Sequence, residues 1–234
     1  CSRDNADRAA ALASLRRTHA WALRCRDRWQ ENEARRTSGT PQALFGIIQG
    51  GNFRDLREQS AAFIAGLDLP GVDIGGESVG YSKEWTRRIL EWVVPLLPAN
   101  RPRYAMGIGE PADFFAAVER GVDFFDSVLP TRLARNGTIF TARGRLRILT
   151  APFARDERPL DPGCSCETCQ RFSRAYVRHL FKAGELLAYR LTTIHNVHFC
   201  LQLMRQIRQA IVAGRFSACR DAFLAGYLAG AAVP

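Results

Sequence analysis

The sequence lacks the features of a membrane or secreted protein. No apolar run approaches the roughly 18 to 20 residues that cross a bilayer, and the amino terminus has no basic and then apolar stretch of the signal-peptide type. Methionine is also scarce, because Met106 and Met204 are the only two and the chain begins with Cys1. We therefore expect a cytoplasmic protein whose natural amino terminus lies upstream of Cys1. Disorder of the whole chain is excluded, because 47% of the 234 residues are hydrophobic, enough for a sizeable core.

Lysine is nearly absent, although the chain is basic. Arginine supplies all but two of the 33 basic side chains, the exceptions being Lys83 and Lys182, and only 23 acidic residues oppose them. The formal net charge of +10 suits a polyanionic partner such as nucleic acid. An excess of arginine also reflects genome composition, so charge alone leaves both explanations open.

The seven cysteines are an odd number, which argues against a disulfide framework. Three of them form the motif Cys164-x-Cys166-x-x-Cys169, which is typical of metal binding in a reducing compartment. A tetrahedral zinc site needs a fourth ligand. His195 would begin the long carboxy-terminal helix and clamp it to this loop, whereas His198 would lie further into the helix. A four-coordinate zinc would be structural, and the alternative is a set of unliganded surface thiols.

Short apolar strands alternate with helical patterns after a long amphipathic helix over residues 6–36. Strands are predicted at residues 44–49, 72–75, 103–107 and 122–127, with helices at 53–66, 82–97 and 111–120 between them. Such units form a parallel sheet, either open and doubly wound or closed into a (β/α)8 TIM barrel. Glycine and polar residues cluster at the carboxyl ends of the strands, where barrel enzymes build their sites. We therefore expect an α/β protein with the carboxy-terminal half of a barrel, the other half lying upstream of the chain.

A different pattern begins at Asn136. Two alternating runs over residues 137–149 predict a β-hairpin. A polar loop then leads to the cysteines. Helices are expected at residues 173–179, 182–189, 193–213 and 218–228. We divide the chain into a half-barrel with the hairpin (1–149), a zinc-binding subdomain (150–200) and carboxy-terminal helices (201–234).

Asp126 ends a strongly apolar predicted strand. A carboxylate there is well placed to attack an electrophilic carbon, as in retaining glycoside chemistry, although taken alone a helix-capping or ion-paired aspartate is the more common explanation. Five arginines and no acidic residue lie within residues 131–147, which favours a phosphate-bearing substrate. Gln49 can donate and accept at the edge of a planar base, and Gly75 and Gly76 permit close backbone approach. Taken alone, ordinary βα turn glycines are the more common explanation of the last two.

Seven stretches together resemble the carboxy-terminal part of the tRNA-guanine transglycosylase (queuine tRNA-ribosyltransferase) family. These stretches are FGIIQGG (45–51), GGESVG (75–80), PRYAMGIG (102–109), FDSVLPTRLARNG (125–137), PLDPGCSCETC (159–169), SRAYVRHL (173–180) and TIHN (193–196). They are distributed over nearly the whole chain, and several are long and specific.

The resemblance implies a (β/α)8 barrel with a zinc-binding insertion near its carboxy terminus. It also implies exchange of guanine at the wobble position of certain tRNAs for a modified 7-deazaguanine, through a covalent ribosyl intermediate on Asp126. The implied base-binding residues are Gln49, Gly76, Met106 and Cys1. The implied RNA-binding residues are Gly107, Ile108, Gly109, Glu110, Pro111, Ala112, Asp113, Thr131, Arg132, Leu133, Ala134 and Arg135. The implied zinc ligands are Cys164, Cys166, Cys169 and His195.

Some positions refine or depart from the family pattern. Val79 resembles the bacterial type, which takes 7-aminomethyl-7-deazaguanine, and family members commonly form homodimers. Glu77 stands where bacterial members usually carry Leu, and Tyr81 stands where they usually carry Glu. The resemblance therefore specifies the reaction more firmly than it specifies which base is selected. The family's general acid/base aspartate falls upstream of Cys1, so we expect the chain alone to be inactive.

Two alternatives remain from this resemblance. One is a non-catalytic tRNA-binding subunit, against which the retained Asp126 and the arginine-rich loop argue. The other is an archaeal-type relative that acts at a different tRNA position.

Overall fold

The computed structural model describes residues 7–76 and 82–230. The chain divides into two compact units, of which the first contains residues 1–108 and 116–127 and the second residues 109–115 and 128–234. Helix α4 (Pro111–Val118) therefore begins in the second unit and ends in the first. Within the described ranges, no helix is long and apolar enough to cross a membrane.

The first unit is built from alternating strands and helices. Its elements are α1 (Arg8–Ala34), β1 (Phe45–Ile48), α2 (Arg54–Ala65), β2 (Gly71–Ile74), α3 (Lys83–Val93), a 3-10 turn (Val94–Leu96), β3 (Arg103–Ala105) and β4 (Phe124–Phe125). The four strands pair in the order β1-β2-β3-β4, and all three pairings are parallel. The predicted parallel sheet is therefore confirmed, although β4 has two residues where six were expected.

The two faces of this sheet differ in burial. Ile48, Val72, Ile74 and Ala105 on one face are at most 3% exposed. Gly46 lies on this face, and a Cβ there would meet the Ile64 and Leu69 side chains at 2.8 and 2.9 Å, so α2 packs closely on the strands. Phe45, Asp73, Tyr104 and Phe124 on the opposite face are half-buried or exposed.

The amino-terminal helix α1 matches the predicted long helix within two residues at each end. Its N-cap residue Asp7 accepts a hydrogen bond from the Ala10 amide at 2.7 Å, which satisfies one of the unpaired donors of the first turn. Ala11 and Leu15 are buried against Leu56, and the His19 ring stacks on Phe63 with centroids 4.0 Å apart. This side of α1 therefore packs against α2.

The second unit contains a two-stranded hairpin among helices. Its remaining elements are α5 (Leu129–Arg135), β5 (Thr138–Thr141), β6 (Gly144–Arg147), a 3-10 turn (Ala151–Arg155), α6 (Glu167–Arg171), α7 (Arg174–Lys182), α8 (Leu186–Val212) and α9 (Phe216–Gly230). The hairpin is antiparallel, as predicted, with Thr138 opposite Arg147. Its core gathers Ile139, Ile148, Leu160, Val177 and Leu191.

The structure divides the carboxy-terminal region differently from our expectation. The helices expected at 182–189 and 193–213 are one continuous helix, α8, and the expected boundary between residues 200 and 201 falls inside it. The hairpin belongs to the second unit and not with the βα strands. Helix α8 continues through Thr192 although threonine is a weak helix former. The buried Thr192 hydroxyl contacts the Ala134 carbonyl of α5 at 3.2 Å, so tertiary bonding outweighs local propensity here.

Candidate functional site

The carboxyl ends of the four parallel strands meet at one edge of the first unit. The ladder pairs Ile48 with Ile74 and Ala105 with Phe125. It continues beyond the strands, because Gly75 N donates to the Ile48 carbonyl at 3.1 Å and Met106 N donates to the Ile74 carbonyl at 3.2 Å. The residues that follow the strands thus form one row: Gln49, Gly75, Met106 and Asp126.

Asp126 is held at this edge through one of its two carboxylate oxygens. Its Oδ1 accepts hydrogen bonds from the Tyr104 hydroxyl at 2.7 Å and from the Gly107 amide at 2.8 Å. The side chain is exposed, and among the described residues Oδ2 accepts no hydrogen bond. The carboxylate is therefore fixed in orientation, with one oxygen available to a ligand.

Tyr104 stands between two carboxylates on this face of the sheet. Burial, the hydrogen bond to Asp126 and the negative charges of Asp126 and Asp73 raise the pKa of Tyr104 to about 12. Its hydroxyl is therefore a hydrogen-bond donor at neutral pH. Burial raises the pKa of Asp73 to about 6, and in the described part of the chain its buried Oδ1 has no hydrogen-bond partner.

Gln49 and the turn after β2 approach each other closely. A Cβ on Gly75 would lie 2.8 Å from the Gln49 Nε2 and 2.6 Å from the Ile47 Cδ1, so a larger residue at this position would displace these side chains. Gly76 has a φ of 95°, a conformation that favours glycine. The backbone N–H of Gln49 donates to Ser60 Oγ at 3.2 Å, which ties the end of β1 to α2.

Sequence reasoning missed Arg57, a side chain with no exposed surface that lies beneath this edge. Its Nε donates to the Gly51 carbonyl at 2.8 Å and its Nη1 to the Gly75 carbonyl at 2.7 Å. The signal was present in the sequence, because Arg57 lies three and seven residues before Ser60 and Ile64, on the buried face of α2.

The residues that the resemblance assigns to RNA binding differ in exposure. Gly107 and Ile108 belong to the first unit and follow β3, whereas residues 109–113, which include the start of α4 at Pro111, belong to the second unit. In α5 the side chains of Arg132 and Arg135 are exposed. Ala134 has no exposed surface, and its carbonyl accepts a hydrogen bond from Thr192 Oγ1 at 3.2 Å. Ala134 thus anchors α5, while the arginines project into solvent.

Glu110 is the centre of a polar network in the second unit. Its carboxylate forms an ion pair with Arg145 and accepts a hydrogen bond from the Tyr227 hydroxyl at 3.0 Å. One of the five arginines between residues 131 and 147 is therefore paired. Arg143 and Arg147 on the hairpin are exposed.

Three cysteines and one histidine converge in the second unit. The ligand atoms of Cys164, Cys166, Cys169 and His195 all lie within 4.8 Å of one another. His195 Nδ1 is 3.2 Å from the Cys169 Sγ and 3.5 Å from the Cys166 Sγ, and the imidazole has no exposed surface. Its other nitrogen, Nε2, lies 2.7 Å from the Phe140 carbonyl, so Nε2 carries the proton and Nδ1 faces the sulfurs.

The electrostatics of this cluster suit a cation. Hydrogen bonds from the Cys164 and Cys169 thiols hold the pKa of Cys166 far below its usual range. Burial alone would lower the pKa of His195, but its hydrogen bonds to Cys164 and Cys166 raise it to about 9. Positive charge is therefore favoured beside the sulfurs, and a Cys3His set of this size fits tetrahedral zinc.

His195 lies in the third turn of α8. The expectation that it begins the helix is therefore wrong. His198 lies one turn further on and contacts Ser165 Oγ at 3.5 Å. The neighbouring Asn196 is fully buried, and its side chain bonds the Pro130 and Thr138 carbonyls and the Phe140 amide, each at 3.0 Å. Asn196 thereby ties α8 to α5 and to the hairpin.

Some expectations fall outside the described residues. Cys1, assigned to base binding, is one of them. Glu77, Val79 and Tyr81, which bear on base selectivity, are the others.

Comparison with known proteins places the chain in a family. The family model described as queuine tRNA-ribosyltransferase matches residues 1–229. A queuine tRNA-ribosyltransferase of Desulforudis audaxviator is 54% identical over 218 residues, which are 93% of this chain and 57% of the relative. A protein of the same name from Herpetosiphon aurantiacus is 50% identical over 227 residues, 97% of this chain and 56% of the relative.

The chain therefore spans little more than half the length of the curated relatives it matches. The family match nevertheless covers nearly all of the chain. On this similarity, the chain belongs to the queuine tRNA-ribosyltransferase family.

Proposed function

We propose that this chain is part of a tRNA-guanine transglycosylase of the bacterial type. The enzyme replaces guanine at the wobble position of tRNA with 7-aminomethyl-7-deazaguanine. The observation that carries the proposal is Asp126, which stands at a strand end with Oδ1 held by Tyr104 and Gly107 and with Oδ2 available. Family membership supports the same activity.

The reaction requires two displacements at one carbon. In the first, an Asp126 oxygen forms a bond to the ribose C1′ while the bond from C1′ to guanine N9 breaks, and the departing guanine takes up a proton. In the second, N9 of the deazaguanine gives up its proton and attacks C1′, and Asp126 leaves as a carboxylate. The resemblance assigns the proton-transferring group to an aspartate upstream of Cys1. Tyr104 orients Asp126 for the first displacement by its hydrogen bond.

The row of strand-end residues supports a base pocket beside Asp126. Gln49 offers a donor and an acceptor to the edge of the base, and the Gly76 backbone approaches it because no side chain intervenes. Met106 would cover a face of the ring, and Cys1 is assigned to the pocket by the resemblance alone. A (β/α)8 barrel is supported by the strand order, because successive strands are neighbours and no reversal of order occurs among the four.

The partner is tRNA, which the exposed arginines of α5 and the hairpin favour. Arg132 and Arg135 would contact phosphates near the exchanged nucleotide, as would the turn at residues 107–113. Cys164, Cys166, Cys169 and His195 would hold one structural zinc ion, which joins the loop before α6 to α8. A cytoplasmic homodimer is the expected assembly of the whole enzyme.

The test is the covalent RNA adduct formed by the protein expressed from its complete reading frame. Asp126→Asn should abolish both the adduct, which is detected on a denaturing gel, and the exchange of guanine into tRNA, because an amide is a far poorer nucleophile than a carboxylate. Binding of tRNA, measured by filter retention, should change less than about threefold, because phosphate contacts supply most of that affinity.

Asp68→Asn is the matched control. Asp68 has a side chain that is 88% exposed and a φ of 51° that asparagine also adopts. This control should form the adduct normally. An undiminished adduct in Asp126→Asn would refute the nucleophile assignment, and tRNA binding without exchange in the unmodified enzyme would favour the non-catalytic subunit.

A further inference from the structure

Arg57 connects two turns that come from different strands. Its side chain leaves α2 and enters the space beneath the strand ends, where it has no exposed surface. Nε donates to the carbonyl of Gly51, after β1, and Nη1 donates to the carbonyl of Gly75, after β2. The Ile48 carbonyl lies 3.4 Å from the same Nη1. One planar group therefore bonds the backbone of both turns.

Burying a charged guanidinium at this position is unfavourable in free energy. Taking an arginine out of water is unfavourable unless its donors are well matched, and an apolar side chain would pack here without that desolvation. Of the other buried positions on α2, Leu56, Ala61 and Ile64 are apolar and Ser60 is a small polar residue. The guanidinium is planar and holds its N–H donors in a rigid arrangement, so it can bond two carbonyls at once. An apolar residue or lysine lacks this property.

The bond to Gly75 determines where the next amide points. In a trans peptide the C=O and N–H groups point in opposite directions. Since the Gly75 carbonyl is directed at Arg57, the Gly76 N–H is directed away from it. A Cβ on Gly76 would lie 2.9 Å from Arg57 Nη2 and 3.6 Å from Gln49 Oε1, so the guanidinium and the Gln49 side-chain amide both lie beside this glycine.

We propose that Arg57 is a positioning residue for base recognition, which orients the Gly75–Gly76 peptide so that its N–H is presented to the carbonyl of a 6-oxopurine. Gln49 and Gly76 contact the base, and Arg57 acts through the backbone of both turns. This inference rests on the proposed transglycosylase activity, and it adds the residue on which affinity for the base depends.

The experiment separates base recognition from folding and from RNA binding. Arg57→Lys and Arg57→Gln are made in the protein expressed from its complete reading frame, with Arg54→Lys and Arg54→Gln as matched controls. Arg54 lies one turn earlier on α2 and pairs with Glu58 in solvent. Guanine exchange into tRNA gives KM for guanine and KM for tRNA separately, and thermal unfolding shows that each variant is folded.

Both Arg57 variants should raise KM for guanine about tenfold or more, because each loses a charge-assisted hydrogen bond. Their KM for tRNA should stay within about twofold of the unmodified enzyme, a split that a general loss of stability would not produce. The double variant Arg57→Lys with Gly76→Ala should raise KM for guanine by less than the product of the two single increases, because both substitutions disturb the same contact.

Several results would overturn the proposal. An unchanged KM for guanine in folded Arg57→Lys would do so, as would parallel losses in both KM values. Failure of both Arg57 variants to fold, with both Arg54 variants folded, would make Arg57 a residue of stability only. An unmodified enzyme without guanine exchange would instead refute the proposed function.

Discussion

Tyr104 illustrates what a single residue contributes at the edge of the sheet. Its ring stacks on Phe124 with centroids 4.8 Å apart and planes 2° from parallel, so the hydroxyl has little freedom. That hydroxyl donates to Asp126, 22 residues along the chain. The sequence singled out Asp126 as a candidate nucleophile from its position at the end of an apolar strand. It did not single out Tyr104, because no local pattern distinguishes a tyrosine that contacts a carboxylate from one that fills a core.

Asp73 gives a prediction about pH and stability. Its pKa is about 6 in the folded chain against an ordinary value of 3.8, so between these values the folded state binds more protons than the unfolded state. Stability therefore falls as pH rises through this window, and the loss persists above pH 6. Asp73→Asn should remove that loss and raise the unfolding free energy at pH 7.5 by about 1 kcal/mol, a value discounted for partial exposure.

The measurement is urea unfolding of the chain at pH 5 and pH 7.5. Asp68→Asn serves again as the control, since it removes the same charge from an exposed site. The difference between Asp73→Asn and the unmodified chain should be larger at pH 7.5 than at pH 5. A difference of equal size at the two pH values would contradict the titration of Asp73 and indicate a packing effect.

Among the elements, α8 shows how one helix carries several buried polar groups. Thr192, His195 and Asn196 recur at helical spacing, and all three have no exposed surface. Their bonds join α8 to α5 and β5: Thr192 bonds α5, His195 bonds β5 and faces the cysteines, and Asn196 bonds both α5 and β5. The sequence marked the TIHN motif as distinctive, but the backbone groups of α5 and β5 to which it hydrogen-bonds lie 55 to 66 residues away.

The same helix provides a test of the metal centre. His195→Ala should lower zinc content from about one ion per chain to well below half, because three sulfurs alone leave tetrahedral zinc incomplete. It should also destabilise the second unit by several kcal/mol, since zinc binding is coupled to folding. Zinc is measured by elemental analysis after dialysis, and stability by thermal unfolding.

His198→Ala is the control on the next turn of the helix. His198 contacts only the Ser165 hydroxyl among the polar side chains of the described residues, so zinc content should be unchanged. Full zinc retention in His195→Ala, or loss of zinc in His198→Ala alone, would show that the fourth ligand is not His195.

For the molecule as a whole, charge is the property that bears on its partner. The net charge is +10, and Arg132, Arg135, Arg143 and Arg147 project into solvent. If Arg132 and Arg135 contact phosphates, replacing both by alanine should weaken tRNA binding and reduce its salt dependence. The slope of log affinity against log salt should fall by roughly 0.7 to 0.9 for each phosphate that is no longer neutralised.

A double variant of equal charge change separates phosphate binding from net charge. Arg28→Ala with Arg54→Ala removes two exposed arginines that are paired with Glu31 and Glu58. Its salt slope should match that of the unmodified enzyme. Equal slopes for all three proteins would show that α5 does not contact phosphate.

The sequence by itself determined the alternation of strands and helices in the first unit, the parallel sheet, the hairpin and the residues of the metal cluster. It could do so because those features depend on local periodicity and on spacing within short motifs, such as the three cysteines before α6. The sequence divided α8 into two helices because Thr192 and its neighbours are weak helix formers, and it left α5 as a loop. In both segments, bonds to distant residues outweighed local propensity.

Only the tertiary structure decided which nitrogen of His195 faces the sulfurs, which hydroxyl holds Asp126 and which arginine joins the two glycine turns. Arg57 and Gly75 are 18 residues apart, and His195 and Phe140 are 55 residues apart. Such contacts exist once strands are in register and helices are packed, because a side chain's partners are set by the three-dimensional positions of both backbones. A one-dimensional pattern records residue type and spacing, and these do not specify that geometry.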